Sequence, residues 1–323
     1  MNSPSKAPTE SFPALQQLWR EPVKSVGVVG LGRMGRAFAE NLRAAGFQVV
    51  GYDRDAQRAR PLQLAGARAA ERLADLAACD VVVTSLPDDD ALASVALDPD
   101  GLASVLAPGA VHVSMSTVSA ELSRRLAQAH AERAQAFVAA PVLGNPDLAQ
   151  TRRLFVLASG DPSAVERVRP ALEQLGQRVF VIGSDAGAAN VMKLAGNVLT
   201  ASTLQSMGEV LALLRKAGID QRLAFEVLTN SLFDGRVHKT YGGKIVDRRY
   251  SPPGMTAPLA VKDLRLALAE AETCAVPMPV AGIVHDRLVA MVARGWADLD
   301  WSALGLLAAD EAGLGDAPPE LLG

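Results

Sequence analysis

Short strand-like segments alternate with helical segments from residue 25 to residue 183, and this rhythm constrains the fold more than any other feature. The first strand-like segments are SVGVVG, FQVVGYD and DVVVTSL, and the helical segment RMGRAFAENLRAAG separates the first two. The alternation continues through AVHVSM, FVAAP, LFVLASG and RVFVIG. Strands that alternate with helices of about 10 to 15 residues form βαβ units, which build a twisted and largely parallel sheet. The sequence therefore predicts a doubly wound α/β domain.

The strand pattern ends at Gly183, and the rest of the chain is predicted to be helical. Helical patterns cover residues near 187–217, 220–231, 258–273 and 277–294, with glycine and proline between them. A chain of 323 residues is about twice the common size of a single domain, so two domains are expected. We assign an N-terminal extension to residues 1–23, the α/β domain to residues 24–185 and an all-helical domain for substrate binding and dimerisation to residues 186–323.

Composition and charge exclude several classes of protein. The net charge of -3 and a pI near 5.9 do not favour nucleic-acid binding. Cys79 and Cys274 lack the spacing of metal ligands, so neither a metal site nor a disulfide framework is predicted. The N-terminal residues lack the apolar stretch of a secretion signal, and the most apolar helix carries too many polar residues to span a membrane. We therefore expect a cytoplasmic protein whose partner is a small molecule.

A glycine-rich turn follows the first predicted strand and leads into the first predicted helix. It reads Gly30-Leu31-Gly32-Arg33-Met34-Gly35. In such a turn Gly30 permits the tight bend, Gly32 lets a pyrophosphate approach the backbone, and Gly35 lets the helix pack closely on the strand. The start of the helix adds N–H donors and a partial positive charge. This context predicts a Rossmann domain that binds a dinucleotide.

The end of the second strand bears on the choice of cofactor. Asp53 is suited to accept hydrogen bonds from a ribose hydroxyl, which favours NAD. The adjacent Arg54 is suited to pair with a 2'-phosphate, which favours NADP. The two residues therefore favour different cofactors. We expect NADP or NAD and favour NADP.

A single lysine lies in the most apolar helix. Lys193 is the only charged residue between Asp185 and Glu209, and it shares one helical stripe with Asn190 and Asn197. A helix without a charged face is normally buried, and burial lowers the pKa of an ammonium group toward the range that a general acid or base needs. The alternative is a lysine that reaches solvent from the helix edge or is neutralised by a carboxylate. We favour the acid/base role, with Asn197 and Asn190 as candidates to hold a substrate hydroxyl or carbonyl; Asn190 is also suited to bond the neighbouring domain.

The chain resembles the β-hydroxyacid dehydrogenase family from about residue 26 to about residue 304. This family contains 3-hydroxyisobutyrate dehydrogenase, tartronate semialdehyde reductase and glyoxylate/succinic semialdehyde reductases. The turn GLGRMG matches the dinucleotide turn of the family, and GAANVMKLAGN matches its catalytic helix motif. The resemblance implies that Lys193 is the acid/base and that Asn197 binds substrate.

Two further cofactor contacts follow from the resemblance. Lys262-Asp263 is similar to the Lys-Asp pair that the family places near the nicotinamide, and Ser85-Leu86-Pro87 is similar to the loop along the cofactor. Without the resemblance, Lys262 and Asp263 would be an ordinary pair on a helix surface. Residues 85–87 would be a strand end stopped by proline.

Two loops bear on the substrate. Ser116 and Thr117, in SMSTV, resemble the family's Ser-Thr loop, which meets the substrate and the nicotinamide ribose. Without the resemblance they would be turn or N-cap residues.

The second loop departs from the family pattern. Where the family commonly has DAPVSGG, this chain has AAPVLGN, so Leu143 and Asn145 flank Gly144. The change removes a hydroxyl and one flexible position from a loop that usually grips a substrate carboxylate. Arg152 also replaces a usual glycine. We expect Leu143, Gly144 and Asn145 to line the substrate site, which is either more apolar than in the family or uses Arg152 to hold an anion.

The resemblance implies hydride transfer between a nicotinamide and a small β-hydroxy acid, semialdehyde or 2-oxo acid. Two alternatives stay open: an NADPH-dependent enzyme similar to imine reductases, and a non-catalytic NAD(P) sensor. Lys193 and Asn197, both present, favour the dehydrogenase.

The long apolar helix near residues 187–217 would span about 45 Å, which is more than one small domain needs. We therefore expect a homodimer or homotetramer that buries this helix.

Overall fold

The computed structural model describes residue 19, residues 21–64 and residues 66–315. The predicted extension, residues 1–23, lies outside the described residues except for residue 19 and residues 21–23. The chain divides into two compact units, which meet in the sequence between Lys193 and Leu194. The predicted domain bounds, residues 24–185 and 186–323, place this change eight residues earlier and stay predictions.

Within the described residues, the first unit contains nine strands and seven α-helices. The strands are β1 (Ser25–Val29), β2 (Gln48–Tyr52), β3 (Arg68–Ala69), β4 (Val81–Thr84), β5 (Val111–Ser114), β6 (Ala136–Ala139), β7 (Val142–Leu143), β8 (Leu154–Gly160) and β9 (Gly176–Gly183). The helices are α1 (Arg33–Ala44), α2 (Arg60–Leu64), α3 (Asp89–Leu97), α4 (Leu102–Val105), α5 (Ala120–Ala131), α6 (Pro146–Gln150) and α7 (Pro162–Leu172). Short 3-10 turns occur at Ala56–Ala59 and Leu73–Leu76.

All nine strands form one sheet, in the order β3-β2-β1-β4-β5-β6-β8-β7, and β9 pairs with β8. The first six strands pair in parallel. In a doubly wound sheet of this order, ligands bind at the carboxyl ends of the strands where the order reverses, which here is between β1 and β4. The predicted Rossmann fold is confirmed.

Buried valines hold the centre of this sheet. Those on β1, β4 and β5 are at most 1% exposed, and they are Val26, Val28, Val29, Val81, Val82, Val83, Val111 and Val113. Strands covered by helices on both faces are expected to carry such continuous apolar runs. The loops at the carboxyl ends of these strands therefore stand on a closely packed base.

The strand β8 departs from the parallel pattern. It pairs antiparallel with β6 and with β7. A parallel neighbour would need a crossover over the sheet, usually a helix. The chain between β6 and β8 instead contains β7 and the five-residue helix α6. The helix α6 lies against α1, and Asn41 Nδ2 of α1 donates to the Ala149 carbonyl of α6 over 2.8 Å.

A chain of buried polar side chains crosses the interior of the first unit. Gln135 Nε2 donates to the carbonyls of Ala103 and Leu106, so its Oε1 faces His130 Nδ1 at 2.6 Å. His130 Nε2 lies 2.9 Å from His112 Nδ1, and His112 Nε2 lies 3.0 Å from Thr84 Oγ1. With both imidazoles neutral, Thr84 donates to His112, His112 donates to His130 and His130 donates to Gln135, so every acceptor has one donor. Burial lowers the pKa of His130 to about 4 and the pKa of His112 well below its usual value.

The described residues of the second unit form α-helices, a 3-10 turn at Trp301–Ala303 and an isolated bridge between Thr256 and Asp300. The helix α8 (Ala188–Lys216) contains the division, and α9 (Gln221–Thr229), α10 (Arg236–Asp247), α11 (Ala257–Thr273), α12 (Pro279–Ala293) and α13 (Leu304–Glu311) follow it. Leu204, Leu264 and Leu288 are fully buried at its centre. Within the described residues, no helix is both long and apolar enough to cross a membrane.

The sequence pattern does not predict α10 or α13. The helix α10 contains Gly242 and Gly243, which lower its intrinsic helix propensity. A Cβ at Gly242 would lie 2.4 Å from the end of the Met207 side chain and 2.8 Å from the Phe225 ring, so a side chain there would displace its neighbours. The helix α13 is short, and its first six residues are all buried, so it shows no amphipathic period.

Candidate active site

The glycine-rich turn joins β1 to α1 at the carboxyl edge of the sheet. Gly30 has a φ of 87°, and a Cβ there would lie 2.3 Å from the Ser85 carbonyl oxygen. A Cβ at Gly35 would lie 1.8 Å from the Gly30 carbonyl oxygen. Both positions therefore exclude a side chain. At Gly32 the Cβ position has no neighbouring atom within 4 Å, so the backbone is open there.

This open face fits the pyrophosphate of a dinucleotide. Gly32 is the N-cap residue of α1, which begins at Arg33. The first turn of this helix carries no acidic side chain. The first N–H groups of a helix have no acceptor within the helix, and the helix dipole adds partial positive charge. The turn therefore offers both a close approach and N–H donors to an anion.

Asp53 directly follows β2 and is hydrogen-bonded to the glycine turn. Its Oδ2 accepts from the Leu31 N–H at 2.7 Å, and its Oδ1 accepts from the Asp55 N–H at 2.9 Å. The side chain is 6% exposed, and Arg58 Nη1 lies 3.7 Å from Oδ2. Arg54 is exposed. Sequence reasoning does not identify Arg58, which places a second cation beside the predicted ribose-binding carboxylate.

The loops after β4 and β5 lie side by side. Thr84 and Ser114 are partners in register at the ends of the two strands. The Leu86 N–H donates to Ser116 Oγ at 2.8 Å, which joins the predicted cofactor loop, residues 85–87, to the predicted substrate loop, residues 116–117. Ser116 is 3% exposed, and Thr117 is half-buried. The first unit thus brings the glycine turn and both loops to one edge of the sheet.

Asn145, in the altered loop, has a local role in the fold. Its side chain accepts from the Leu148 N–H at 3.0 Å and caps α6. Gly144 has a φ of 143°, which a side chain rarely adopts. Leu143 is half-buried and packs on the apolar cluster that contains Phe137 and Leu157. The assignment of residues 143–145 to the substrate site stays a prediction.

Arg152, the other departure from the family pattern, follows the end of α6. Its φ is 57°, in the left-handed region. Its guanidinium donates to the carbonyl of Gln174 at 2.9 Å and also bonds the side-chain oxygen of that residue. Through these contacts, Arg152 joins the segment before β8 to the turn between α7 and β9.

The start of α8 carries the predicted catalytic stripe. Lys193 is 7% exposed, Asn190 is 1% exposed and Asn197 is 5% exposed, so this stripe is buried, whereas another face of the helix exposes Leu199. Asp185 precedes the helix and accepts from the Gly187 N–H at 3.2 Å. Arg124 on α5 forms an ion pair with Asp185 at 2.8 Å, and its hydrogen bond lowers the pKa of the Asp185 carboxyl.

Asn190 forms hydrogen bonds with three residues of the first unit. Its Nδ2 donates to the carbonyls of Val118 at 3.2 Å and Ser116 at 3.5 Å. Its Oδ1 accepts from Ser123 Oγ at 3.1 Å. Sequence reasoning does not identify Ser123, because a serine in the middle of an amphipathic helix carries no local signal.

Asn197, Lys262 and Asp263 meet within the second unit. Asp263 is 1% exposed; its Oδ2 accepts from Asn197 Nδ2 at 2.5 Å, and its Oδ1 lies 3.1 Å from Lys262 Nζ. Asp263 is therefore a buried carboxylate that holds two other predicted site residues. Its role as a cofactor contact stays a prediction, as does that of Lys262.

Comparison with known sequences gives two family matches that together span most of the chain. The NAD-binding domain of 6-phosphogluconate dehydrogenase matches residues 25–183. The NAD-binding domain of NADP-dependent 3-hydroxyisobutyrate dehydrogenase matches residues 187–307.

Relatives and solved structures agree with these matches. The uncharacterized oxidoreductase YfjR of Bacillus subtilis is 37% identical over 86% of this chain and 98% of its own length. Glyoxylate/succinic semialdehyde reductase 1 of Arabidopsis thaliana is 33% identical over 86% of this chain and 96% of its own. A crystal structure of 3-hydroxyisobutyrate dehydrogenase from Salmonella typhimurium is 27% identical, with a TM-score of 0.79 over 88% of this chain and 99% of that one.

Imine reductases share the fold at lower similarity, with TM-scores of 0.58 to 0.60. The glycine-rich dinucleotide turn, the motif around Lys193 and these full-length similarities lead to the same conclusion. The chain belongs to the β-hydroxyacid dehydrogenase family and is an NAD(P)-dependent oxidoreductase that acts on CH–OH groups.

Proposed function

We propose that the enzyme interconverts a small β-hydroxy acid and the corresponding semialdehyde or 2-oxo acid, with Lys193 as general acid/base. The observation that carries the proposal is the burial of Lys193, 7% exposed, in a helix whose other residues from 186 to 208 are uncharged. The names of the relatives support the substrate class, because they include glyoxylate/succinic semialdehyde reductase and 3-hydroxyisobutyrate dehydrogenase.

A bound nicotinamide supplies or accepts the hydride. In the reductive direction Lys193 Nζ donates a proton to the substrate oxygen as the carbonyl carbon gains a hydride, so the product is an alcohol. In the oxidative direction the neutral amine takes the proton from the hydroxyl. One positioned acid/base of this kind contributes about 100-fold to 10,000-fold to a rate.

Asn197 lies one helical turn beyond Lys193, and we assign it to the oxygen of the substrate. Asp263 holds its amide nitrogen, which fixes the orientation of the group. Ser116 and Thr117 are assigned to the substrate and the nicotinamide ribose. Fixed side chains of this kind lower the entropy cost of reaching the reactive geometry.

We propose NADP as the preferred cofactor. Arg54 and Arg58 support it, because two guanidinium groups near the end of β2 would attract a 2'-phosphate. Asp53 opposes it, because a carboxylate repels that phosphate. We favour NADP because Arg58, beside Asp53, offsets the negative charge of that carboxylate.

We further propose a homodimer or homotetramer in which a second copy covers the outer face of α8. This face exposes Leu199 by 71% and Leu213 by 66%, and Val210 lies between them. Val280 and Ile283 on α12 are also more than half exposed. Large apolar side chains exposed in such number are typical of an interface. Light scattering at micromolar concentration tests it, and a monomer would contradict it.

The function is tested by assaying NADPH and NADH oxidation with glyoxylate, succinic semialdehyde, other small 2-oxo acids and cyclic imines. We expect turnover with the semialdehydes or 2-oxo acids. Turnover with the cyclic imines alone would support an imine reductase instead. Tight cofactor binding without turnover of any compound would support a sensor.

A further inference from the structure

Asn190, at the start of α8, joins that helix to two other segments of the first unit, the loop after β5 and α5. Its amide nitrogen donates to the carbonyls of Ser116 and Val118 in the loop after β5. Its amide oxygen accepts from Ser123 in α5. Asn190 is 1% exposed and Ser123 is fully buried, so these hydrogen bonds are made away from water. A buried amide that lost them would leave polar groups unsatisfied.

Ser116 extends this network to the loop after β4. Its hydroxyl oxygen accepts from the Leu86 N–H at 2.8 Å, while its carbonyl accepts from Asn190. The helix of Lys193 is therefore connected through Ser116 to the loop at residues 85–87, predicted to lie along the cofactor, and to the loop at residues 116–118, which contains Ser116 and Thr117. We call Asn190, Ser116 and Ser123 the helix latch.

We propose that Asn190 is a positioning residue, which sets Lys193 relative to the loops at residues 85–87 and 116–118 through the helix latch. The inference rests on the proposed function of Lys193. Asn190 precedes Lys193 by one helical turn, so a shift or rotation of that turn moves both side chains together. A displacement of about 1 Å at a reacting group can cost about 100-fold in rate.

Direct contact with the substrate is the competing role for Asn190. An amide has two N–H donors and one carbonyl oxygen, and here each of the two ends bonds protein groups. A substrate contact would have to displace bonds that hold the loop. The geometry therefore favours positioning over substrate binding for this residue.

The test is Asn190→Asp in the full-length enzyme. The substitution keeps the size of the side chain but replaces both N–H donors with a carboxylate oxygen that faces two carbonyls. We expect kcat to fall by at least about 10-fold while the substrate KM changes less than about threefold. Hydrogen exchange should become faster in peptides that cover residues 84–88 and 114–119.

Asn41→Asp is the matched control. Asn41 is also buried and donates its amide to a carbonyl, that of Ala149, at the contact between α1 and α6, neither of which contains a latch residue. It should lower the unfolding temperature by a similar amount but leave kcat and the exchange of the two loop peptides unchanged. Ser123→Ala, which removes one bond and keeps both donors of Asn190, should have a smaller effect on kcat than Asn190→Asp.

Any one of three results for Asn190→Asp would overturn the proposal. The first is lower stability with unchanged kcat, as expected for Asn41→Asp. The second is a higher KM alone, as for a substrate contact, and the third is unchanged exchange in both loop peptides. If the wild-type enzyme turned over no carbonyl compound, the proposed function would fail. The exchange measurements would then still decide whether Asn190 holds the two loops.

Discussion

Asn197 donates an amide hydrogen to Asp263 Oδ2 over 2.5 Å, and this contact orients the amide. Because the nitrogen faces Asp263, the carbonyl oxygen lies on the opposite side of the group. An oriented oxygen is suited to accept a hydrogen bond from a substrate hydroxyl. Asp263 also lies 3.1 Å from Lys262 Nζ, so one carboxylate holds both residues.

Asp263→Asn is expected to lower kcat/KM by about 30-fold, which corresponds to about 2 kcal/mol for a buried charge-assisted hydrogen bond. The physical reason is that an amide at position 263 no longer fixes which end of Asn197 points away from it. Steady-state kinetics measure the change. Asp247→Asn removes ion pairs with Arg222 and Arg249 in the same unit and should leave kcat/KM unchanged. Equal kcat/KM for Asp263→Asn and the wild type would contradict the role of the contact.

Lys193→Ala is expected to lower kcat by about 100-fold to 10,000-fold, because it removes the proposed proton donor and acceptor. Lys193→Arg keeps a positive charge that does not give up its proton near neutral pH, so it should be similarly slow. Cofactor affinity, measured by quenching of tryptophan fluorescence, should stay close to that of the wild type in both variants. Near-normal turnover by either variant would reject the acid/base assignment.

Gly32→Ala is expected to leave the fold intact and weaken cofactor binding by at least about 10-fold. The Cβ position at Gly32 has no neighbour within 4 Å, so the methyl group fits the protein. It would occupy the space through which the pyrophosphate approaches the backbone. Thermal unfolding and a cofactor titration separate the two effects. Gly282→Ala, another position with open space around its Cβ, serves as the control that should bind cofactor normally.

Arg54→Ala and Arg58→Ala are each expected to raise the KM for NADPH by about 10-fold and to change the KM for NADH much less. The reason is the loss of a charge-assisted contact with the 2'-phosphate. The measurement is a saturation curve for each cofactor at a fixed concentration of the carbonyl substrate. Arg36→Ala, which removes an exposed pair with Glu40, is the control. If both variants affected the two cofactors equally, the preference for NADP would lose its support.

Acid is expected to destabilise the first unit through the buried histidines. Burial lowers the pKa of His130 to about 4 and that of His112 well below its usual value, whereas both imidazoles titrate near pH 6.5 when the chain is unfolded. The unfolded chain therefore binds more protons than the folded one at low pH. The stability that the neutral imidazoles provide is complete above about pH 6.5 and is lost as the pH falls toward 4.

Urea unfolding between pH 7.5 and pH 4.5 measures this effect. Each histidine can contribute a slope of up to about 1.4 kcal/mol per pH unit to the free energy of unfolding. His130→Gln should reduce the slope, although it lowers stability at pH 7.5. A slope that is unchanged in this variant would show that other groups set the acid sensitivity.

The sequence alone predicts those parts of the structure that depend on local requirements. The glycine turn is predictable because Gly30 needs a positive φ and Gly35 leaves no room for a side chain. The burial of Lys193 is predictable from a helix segment that carries no other charged residue between Asp185 and Glu209. In each case the signal and the structure lie within a few residues of one another.

Other features depend on contacts that a single sequence does not reveal. Asn190 and Ser123 are 67 positions apart, and Asn197 and Asp263 are 66 positions apart. Asn145 illustrates a missed local signal. The resemblance assigns it to the substrate loop, yet an asparagine directly before a proline is typical of a helix N-cap, and its side chain caps α6.

The hydrogen-bonded chain from Gln135 through His130 and His112 to Thr84 also limits how this sequence can diverge. Each imidazole nitrogen shares a hydrogen bond with the next residue, so an apolar replacement at one position leaves a buried donor or acceptor at the next without a partner. A tolerated change would therefore replace several of these four residues together. In related sequences, the four positions should covary as a group.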